Sequence, residues 1–400
     1  MKNVLTNANK IEELLSRGVE EIIDRKSLED KLKSGKQLRI KLGIDPTSPN
    51  IHLGRSIPLL KLKDFQDLGH KIVFIIGDFT GLIGDSSDKD SERPMLTEEV
   101  VKQNLKTYID QAAKIIDINT AEIYHNSEWL CKLGYLEIGR QAGIFSLNEF
   151  SSRDNISRRL KEGKRVSVRE LLYPLMQGYD SVKVEADVEI GGTDQRFNLL
   201  AGRDIQRFYN QEPQDILTNP LIEGLDGRKM SSSFGNTVNL FDTADDMFGK
   251  VMSLKDEFII RYFTLVTRVD TKTIAEHEKS LSDGTNPRDI KKKLAHAIIT
   301  MYHDGNSADL AQSNWEEIFS GKGTPDNIQE IEVIKGKVLI DVIVESGLVK
   351  SKTNARRLFE EGAIKDLSDG SKITNPQKEV TQPLTLKVGK KIFVKIIFKV

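Results

Sequence analysis

The sequence predicts an α/β protein whose core is a doubly wound parallel sheet. In the first half of the chain, short apolar runs of strand type alternate with longer segments in which apolar residues recur at helical spacing. The runs lie at residues 38–44, 71–78, 121–127 and 183–192. Strands separated by helical connections are typical of a parallel sheet with helices packed against it.

The rest of the chain is predicted to be mainly helical until a basic tail. The segment from Glu128 to Tyr179 is too long for a simple crossover between strands, so we expect a helical insertion there. After about residue 245 helical patterns follow one another, and a Gly/Pro break at 320–327 precedes the tail.

Composition excludes several classes of protein. The chain has 400 residues, 38% hydrophobic and 30% charged, which is enough to bury a core. The single cysteine, Cys131, excludes an internal disulfide, and the six histidines show no metal-ligand spacing. The N-terminus is unlike a secretory or transit peptide, and no run approaches the roughly 20 apolar residues of a membrane helix. We therefore expect a cytoplasmic protein with no metal site of its own and no membrane partner.

The charge of the chain is unevenly distributed. From Lys335 to Val400 there are twelve Lys and two Arg against three Asp and four Glu, so this tail carries +7 and the remainder −8. Such a tail either binds a polyanion or simply presents a basic solvated face. Charge alone leaves both interpretations open.

The stretch GIDPTSPNIHLGRS, residues 43–56, is predicted to be the loop between the first strand and a helix. In an open parallel sheet this position faces the ligand crevice, and amides exposed at a helix start attract anions. The loop is therefore a candidate phosphate site.

A second loop, GRKMSSSFGN at residues 227–236, has a lysine and three serines between two glycines. It can close on a phosphate chain, although taken alone it is more typical of a solvated Gly/Ser linker. The His-Leu-Gly and Lys-Met-Ser-Ser-Ser motifs together resemble the two signatures of the class I aminoacyl-tRNA synthetases. This resemblance implies that His52 and Lys229 contact the ATP phosphates as pyrophosphate leaves.

Two further motifs narrow the resemblance. YPLMQGYD places Tyr173, Gln177 and Asp180 on one helix face, where they either face water or line a pocket for an amino group and a phenol. In GGTDQRFNLL, which starts at Gly191, the glycines either let backbone approach a ligand or only form a tight turn. With these motifs the chain resembles a bacterial branch of the tyrosyl-tRNA synthetases over nearly its whole length.

The resemblance implies three overlapping sets of site residues. ATP and the adenylate would be contacted by Asp45, Thr47, His52, Gly54, Gly192, Asp194, Lys229, Ser231 and Ser232. Tyrosine would be held by Lys41, Asp85, Asn126, Tyr173, Gln177, Asp180 and Gln195, with Asp180 bound to the phenol. The catalytic groups would be Thr47, His52, Lys89, Arg93 and Lys229, of which Lys89 and Arg93 belong to the motif TGLIGDSSDKDSER.

Three residues depart from the family pattern. Arg55 stands where the family usually has His or Asn, and it can keep a phosphate contact as a cation. Ser232 replaces a second lysine, which leaves Lys229 as the cation of the KMSSS core. Lys41 replaces a tyrosine that touches the phenol in one branch. We expect Lys41 to matter less than Asp180, because a lysine ammonium can point to solvent.

Residues 338–365 are predicted to form two short amphipathic helices, with Ser351 capping the second. They either form a basic hairpin packed on its neighbour or, as the resemblance implies, an RNA-binding module shared with a ribosomal small-subunit protein. The RNA contacts would be Lys350, Lys352, Arg356 and Arg357. The expected domains are a Rossmann-like catalytic domain over 1–240 with the helical insertion near 128–180, a helical anticodon-side domain over 241–320, and a small α+β RNA-binding domain over 336–400.

The resemblance implies a ligase that activates tyrosine with ATP and transfers it to the terminal ribose of tRNA(Tyr). Mg²⁺ is expected with the ATP, and a homodimer contact is expected in the helical insertion. Two alternatives stay open. A tryptophan-specific synthetase is disfavoured because an indole offers no phenol to Asp180, and a noncatalytic RNA-binding paralogue is disfavoured by the intact His52, Asp194 and Lys229.

Overall fold

The computed structural model describes residues 4–85, 87, 91, 94–320, 329–349, 351–367, 371–389 and 392–398. The chain divides into two compact units, Met1–Asp309 and Leu310–Val400. The domain boundary expected at residue 240 lies inside the first unit, and a division there stays a prediction. The expected break at 320–327 falls almost entirely outside the described residues.

The first unit is built on a six-stranded sheet. Its strands are Glu21–Ile23 (β1), Arg39–Ile44 (β2), Lys71–Ile76 (β3), Glu122–His125 (β4), Val188–Gly192 (β5) and Asp215–Asn219 (β6). They lie in the order β1-β6-β5-β2-β3-β4, and every neighbouring pair is parallel except β1 with β6. The predicted α/β class with a mostly parallel sheet is therefore confirmed.

The sequence pattern missed two strands of this sheet and placed the start of a third too early. Residues 183–187 do not belong to β5, because the preceding helix runs to Lys183 and the chain turns at Glu185 with a φ of 50°. β1 has only three residues, and β6 contains the buried polar residues Asp215, Thr218 and Asn219. Short or polar strands give a weak periodic signal.

Helices connect the strands and form the region that follows them. They are Ala8–Ser16 (α1), Arg25–Lys33 (α2), Leu53–Asp67 (α3), Thr80–Ile83 (α4), Glu98–Leu105 (α5), Tyr108–Ala113 (α6), Ser127–Leu130 (α7), Tyr135–Ala142 (α8), Leu147–Ser151 (α9), Asp154–Lys161 (α10), Val168–Lys183 (α11), Arg196–Phe208 (α12), Ala244–Met252 (α13), Ile259–Val266 (α14), Thr271–Ser282 (α15), Pro287–Tyr302 (α16) and Gly305–Ser320 (α17). The predicted insertion corresponds to α7 to α11, and the helical pattern after residue 245 corresponds to α13 to α16.

The strand order fixes where a ligand can bind. The chain runs from β2 outward to β3 and β4 and then returns to β5 on the other side of β2. β2 and β5 pair only at Ile40 with Val188 and at Lys41 with Glu189, and their carboxyl ends no longer pair. In parallel α/β sheets such a reversal of strand order opens a ligand crevice at the carboxyl ends of the strands.

The second unit is a small α+β domain. Its elements are Gln329–Val333 (β7), Leu339–Glu345 (α18), Lys352–Glu360 (α19), Ile364–Asp366 (β8), Leu384–Val388 (β9) and Ile392–Phe398 (β10), with the strand order β7-β10-β9-β8. The predicted helix pair is present, and the hydroxyl of Ser351 caps α19 by accepting from the amide of Asn354 at 3.2 Å. Across the described ranges of both units, no helix is long and apolar enough to cross a membrane.

Candidate active site

A cavity of about 500 Å³ lies at the carboxyl ends of β2 and β5. The loop after β2 and the loop 227–236 both line it. The predicted site residues in its wall are Lys41, Asp45, Thr47, His52, Gly54, Asp85, Asn126, Tyr173, Gln177, Asp180, Gly192, Asp194, Gln195, Lys229, Ser231 and Ser232. Lys89 and Arg93 lie outside the described residues, so their part in the site stays a prediction.

The Asp180 carboxylate is a buried acceptor in the cavity wall. Asp180 lies on α11 and is 4% exposed. Oδ1 accepts a hydrogen bond from the indole Nε1 of Trp129 at 2.7 Å, and Oδ2 accepts one from Nδ2 of Asn126 at 3.1 Å. Burial raises the pKa of Asp180 to about 7, against the effect of the Lys41 ammonium and of the two hydrogen bonds. The charge of this group therefore changes near neutral pH.

Tyr173 begins a hydrogen-bond chain that joins α11, the β2 loop and α4. Its hydroxyl donates to Oδ2 of Asp45 at 2.8 Å, and Oδ1 of Asp45 accepts from Thr80 at 2.7 Å. Thr80 in turn accepts from Asn126 at 2.9 Å. A Cβ at Gly77 would lie 2.0 Å from Oδ1 of Asp45, so this chain requires glycine there. Burial and the Asp45 carboxylate raise the pKa of Tyr173 well above its ordinary value, so its phenol stays protonated.

Asp85 and Gln195 form a second polar group at the start of α12. Nε2 of Gln195 donates to Oδ2 of Asp85 at 2.6 Å, and Oδ1 of Asp85 accepts from the amide and hydroxyl of Ser87 at 3.0 and 2.6 Å. Nδ2 of Asn198 donates to Oε1 of Gln195 at 3.0 Å. The structure thus brings together two residues that are far apart in the sequence.

The Lys41 side chain is fully buried, and the expectation that it points to solvent is wrong. Its Nζ lies 2.8 Å from Oε1 of Glu189, 2.8 Å from the carbonyl oxygen of Gln177 and 2.7 Å from the hydroxyl of Ser181. An ammonium has three hydrogens, and these three acceptors use all of them. Lys41 therefore lines the cavity with its charge directed at Glu189.

His52 ends the β2 loop and immediately precedes α3. Its ring is 6% exposed, and its Nδ1 has no hydrogen-bond partner. Burial, together with the charges of Arg55 and Lys229, lowers the pKa of His52 to about 3. The imidazole is therefore neutral at physiological pH. A Cβ at Gly54 would lie 3.1 Å from this ring, so the glycine gives the ring its space.

Arg55 donates hydrogen bonds to the loop that follows β2. Its Nη2 donates to the hydroxyl of Thr47 at 2.8 Å, and its Nη1 lies 3.4 Å from the carbonyl oxygen of Asp45. Nη1 also donates to the hydroxyl of Tyr108. The guanidinium thus binds protein groups on this loop, and a phosphate contact by Arg55 stays a prediction.

The loop 227–236 contributes a cation, Lys229, to the cavity wall. Nζ of Lys229 lies 3.0 Å from Oδ2 of Asp194, and both side chains are partly exposed. The side chain of Asn236 holds the loop by accepting from the Ser231 amide at 2.9 Å and donating to the Lys229 carbonyl oxygen at 3.1 Å. Near the end of the loop, Gly235 has a φ of 64°, a conformation that favours glycine.

Several residues that shape the site are not among the predicted site residues. Trp129 and Thr80 bind predicted site residues directly, and Glu189 with Ser181 binds Lys41. A usable signal exists for the first two, because they follow β4 and β3 at the carboxyl edge of the sheet. The signal for Glu189 is a charged residue inside an apolar strand.

The cavity wall has two chemically different sets of side chains, which we call the carboxylate pole and the phosphate pole. The carboxylates of Asp45, Asp85 and Asp180 suit an amine and a hydroxyl, whereas Lys229 and the start of α3 suit a phosphate chain. A parallel sheet that presents His-Leu-Gly and Lys-Met-Ser-Ser-Ser loops to one cavity is the arrangement of a class I aminoacyl-tRNA synthetase.

Comparison with known proteins agrees with this class. The family described as tRNA synthetases class I (W and Y) matches residues 33–320, and the chain belongs to it. A curated tyrosine-tRNA ligase of Carboxydothermus hydrogenoformans is 45% identical over 403 residues, 97% of each chain. One of Thermotoga maritima is 45% identical over 322 residues, 80% of each chain. The solved structure of a C-terminally truncated mitochondrial tyrosyl-tRNA synthetase from Aspergillus nidulans, 22% identical, has the same fold, with a TM-score of 0.66 over 80% of this chain and 95% of that one.

Proposed function

We propose that this chain joins tyrosine to tRNA(Tyr) in two steps. The tyrosine carboxylate attacks the α-phosphate of ATP to give tyrosyl-adenylate and pyrophosphate, and the tyrosyl group then passes to the 3′-terminal ribose of the tRNA. The observation that carries the proposal is one cavity with a buried carboxylate at one pole and the two signature loops at the other. Curated tyrosine-tRNA ligases that are 45% identical to this chain support it.

Tyrosine would bind at the carboxylate pole. Asp180 would accept a hydrogen bond from the phenol, which would replace solvent around a buried charge. The amine and carboxylate of tyrosine would be held by Asp85, Asn126, Tyr173, Gln177 and Gln195. This assignment is supported by the hydrogen bonds that already orient these side chains toward one cavity.

ATP would bind at the phosphate pole, along the two loops. Little acid-base chemistry is required, so catalysis would come from alignment of the carboxylate with the α-phosphate and from donors that strengthen as charge moves to pyrophosphate. His52 would act as a neutral hydrogen-bonding group, and Lys229 as a cation that exchanges Asp194 for phosphate. Thr47, Lys89 and Arg93 would complete the phosphate contacts.

Mg²⁺ would arrive on the ATP phosphates, where it would neutralise charge as pyrophosphate leaves. Among the described residues, no group of three or more His, Cys, Asp and Glu side chains could hold a metal ion. We therefore assign no protein ligand to the ion.

Substrate identity gives the first test. In ATP-pyrophosphate exchange, we expect tyrosine to support the reaction and phenylalanine and tryptophan to be rejected. Asp180→Asn should lower the preference for tyrosine over phenylalanine by about ten- to hundredfold, because a charge-assisted hydrogen bond contributes roughly 1.5 to 3 kcal/mol. Asp187→Asn is the control, since this carboxylate binds Lys36 and the Arg39 amide outside the cavity. Exchange that depends on tryptophan would favour a tryptophan-specific synthetase. If none of the amino acids supported exchange, the result would favour a noncatalytic RNA-binding paralogue.

The phosphate loop gives the second test. Lys229→Ala should slow adenylate formation by roughly 10²-fold, the scale of one preorganised transition-state contact, with little change in the KM for tyrosine. Arg228→Ala is the matched control, because this neighbouring cation is exposed and binds Asp226. An unchanged exchange rate in Lys229→Ala would remove this lysine from the mechanism.

We propose that the second unit binds the tRNA. Arg356 and Arg357 are exposed on α19, and Lys352 starts the same helix. Lys350 lies outside the described residues. Together with the +7 charge of residues 335–400, these side chains suit a phosphate backbone, whose binding is salt-dependent.

Truncation near Gly323 tests this assignment. A chain that ends there should keep pyrophosphate exchange close to normal, because the cavity belongs entirely to the first unit. Its aminoacylation of tRNA should fall severely, and the difference from the full chain should narrow as salt is raised, because salt weakens the phosphate contacts that the tail would supply. Charging that survives at physiological salt would contradict an RNA-binding role for the tail.

We also propose a homodimer formed through the helical insertion, in the cytoplasm. Helices α8 to α11 expose an unusual set of large apolar side chains, namely Tyr135, Leu136, Leu147, Leu160 and Val168. Exposed apolar patches on a folded chain mark protein contacts. The single cysteine, a free thiol, fits a reducing compartment.

Sedimentation equilibrium tests the dimer. The wild type should have twice the chain mass of 45.1 kDa, and a Leu136→Glu/Leu147→Glu variant should sediment as a monomer. Leu310→Glu is the control, because Leu310 is also largely exposed but lies outside the insertion. A monomeric wild type, or a double variant that remains dimeric, would contradict the proposal.

A further inference from the structure

A buried ion pair lies beside the carboxylate pole of the cavity. Lys41 and Glu189 are register partners on the neighbouring strands β2 and β5, and their side chains are 0% and 1% exposed. Nζ of Lys41 lies 2.8 Å from Oε1 of Glu189. Burying two charges is costly, and well-packed apolar residues often stabilise such a position at least as well. Stability alone therefore does not explain the pair.

Four hydrogen bonds of the pair converge on one turn of α11, and Oε2 of Glu189 also accepts from Nε2 of Gln214. Lys41 donates to the carbonyl oxygen of Gln177 at 2.8 Å and to the hydroxyl of Ser181 at 2.7 Å. Oε1 of Glu189 accepts from the Gln177 amide group at 3.0 Å, and Oε2 accepts from Ser181 at 3.2 Å. This turn carries both Gln177 and Asp180. The pair thus fixes the backbone around Asp180 and the side-chain orientation of Gln177.

We propose that Lys41 and Glu189 are positioning residues for tyrosine recognition, which act on Asp180 with opposite charges and hold Asp180 and Gln177 at the spacing that the substrate needs. This inference rests on the proposed function. Lys41 donates its three ammonium hydrogens to protein acceptors. Neither Lys41 nor Glu189 therefore has to contact the substrate. The pair acts through the turn of α11 that it binds.

The charges around Asp180 make the two members of the pair separable. Lys41 faces it from β2, Glu189 from β5 and the neutral Tyr173 from its own helix, while Asn126 and Trp129 donate to it. The Lys41 cation favours the charged carboxylate, and the Glu189 anion opposes it. Removal of the Lys41 charge should therefore raise the pKa of Asp180, and removal of the Glu189 charge should lower it.

The experiment measures kcat/KM for tyrosine in pyrophosphate exchange between pH 5.5 and 8.5. In the wild type this parameter should fall on the acid side as Asp180 is protonated. Lys41→Met should move this limb to higher pH and lower kcat/KM at pH 6 by about tenfold or more, since a tenfold change corresponds to a pKa change of one. Glu189→Gln should move the limb to lower pH. The KM for ATP should stay constant in both variants.

The matched control is Lys61→Met. Lys61 is another buried lysine of the first unit, bound to the Leu14 carbonyl oxygen at 2.7 Å and to Asp64 at 3.3 Å, away from the cavity. Its loss should leave the acid limb at the wild-type pH. If Lys41→Met fails to fold, the single variant Glu189→Gln is compared with the neutral double variant Lys41→Met/Glu189→Gln. The acid limb of the double variant should lie closer to the wild-type pH than the limb of Glu189→Gln.

Limbs that coincide in all variants, or that move in the same direction for Lys41→Met and Glu189→Gln, would overturn the inference and leave the proposed function intact. A wild type that activates no tyrosine would overturn both. Limbs that move in opposite directions, with a kcat/KM for tyrosine that is also lowered in both variants on the alkaline side of the limb, would support the inference, because the charges explain the two signs and lost positioning explains the lower kcat/KM.

Discussion

The site depends on one constraint, which is that a carboxylate must be able to hold its charge inside the protein. Asp180 loses almost all of its solvent, and lost solvation of an ion has to be replaced by hydrogen bonds and opposite charge. Trp129 and Asn126 supply the direct donors, and Lys41 supplies the opposite charge. The pKa still rises to about 7. A bound hydroxyl would complete the replacement, whereas an aromatic ring without one would leave the carboxylate short of a partner.

The rest of the fold positions this acceptor relative to the phosphate pole. Strand order reverses between β2 and β5, so the loop after β2 and the turn after β5 meet at one cavity. The Gly54 amide donates to the sulfur of Met230 at 3.2 Å, which ties the two signature loops to each other. The pair between Lys229 and Asp194 is partly exposed, and such pairs are weak. Lys229 can therefore change partner when a phosphate enters.

The sequence predicted the parts of the protein that have strong local patterns. The strands from β2 to β4, the long helix α11 with its polar face and the capped helix α19 follow from periodicity and capping, and the two loops follow from short motifs. The sequence did not predict contacts made across the fold. The burial of Lys41 depends on a partner 148 positions away in β5, the indole of Trp129 reaches Asp180 from another helix, and Arg55 binds Tyr108. No local pattern contains such pairings.

We expect tyrosine binding to ionise Asp180. Titration calorimetry with tyrosine at pH 7, repeated in buffers of different ionisation enthalpy, measures the protons exchanged on binding. The account predicts that the wild type releases a fraction of a proton, because a phenol hydroxyl that donates to the carboxylate favours its charged form, and that Asp180→Asn releases none. Tyrosine binding by the wild type without proton release at pH 7 would contradict the account.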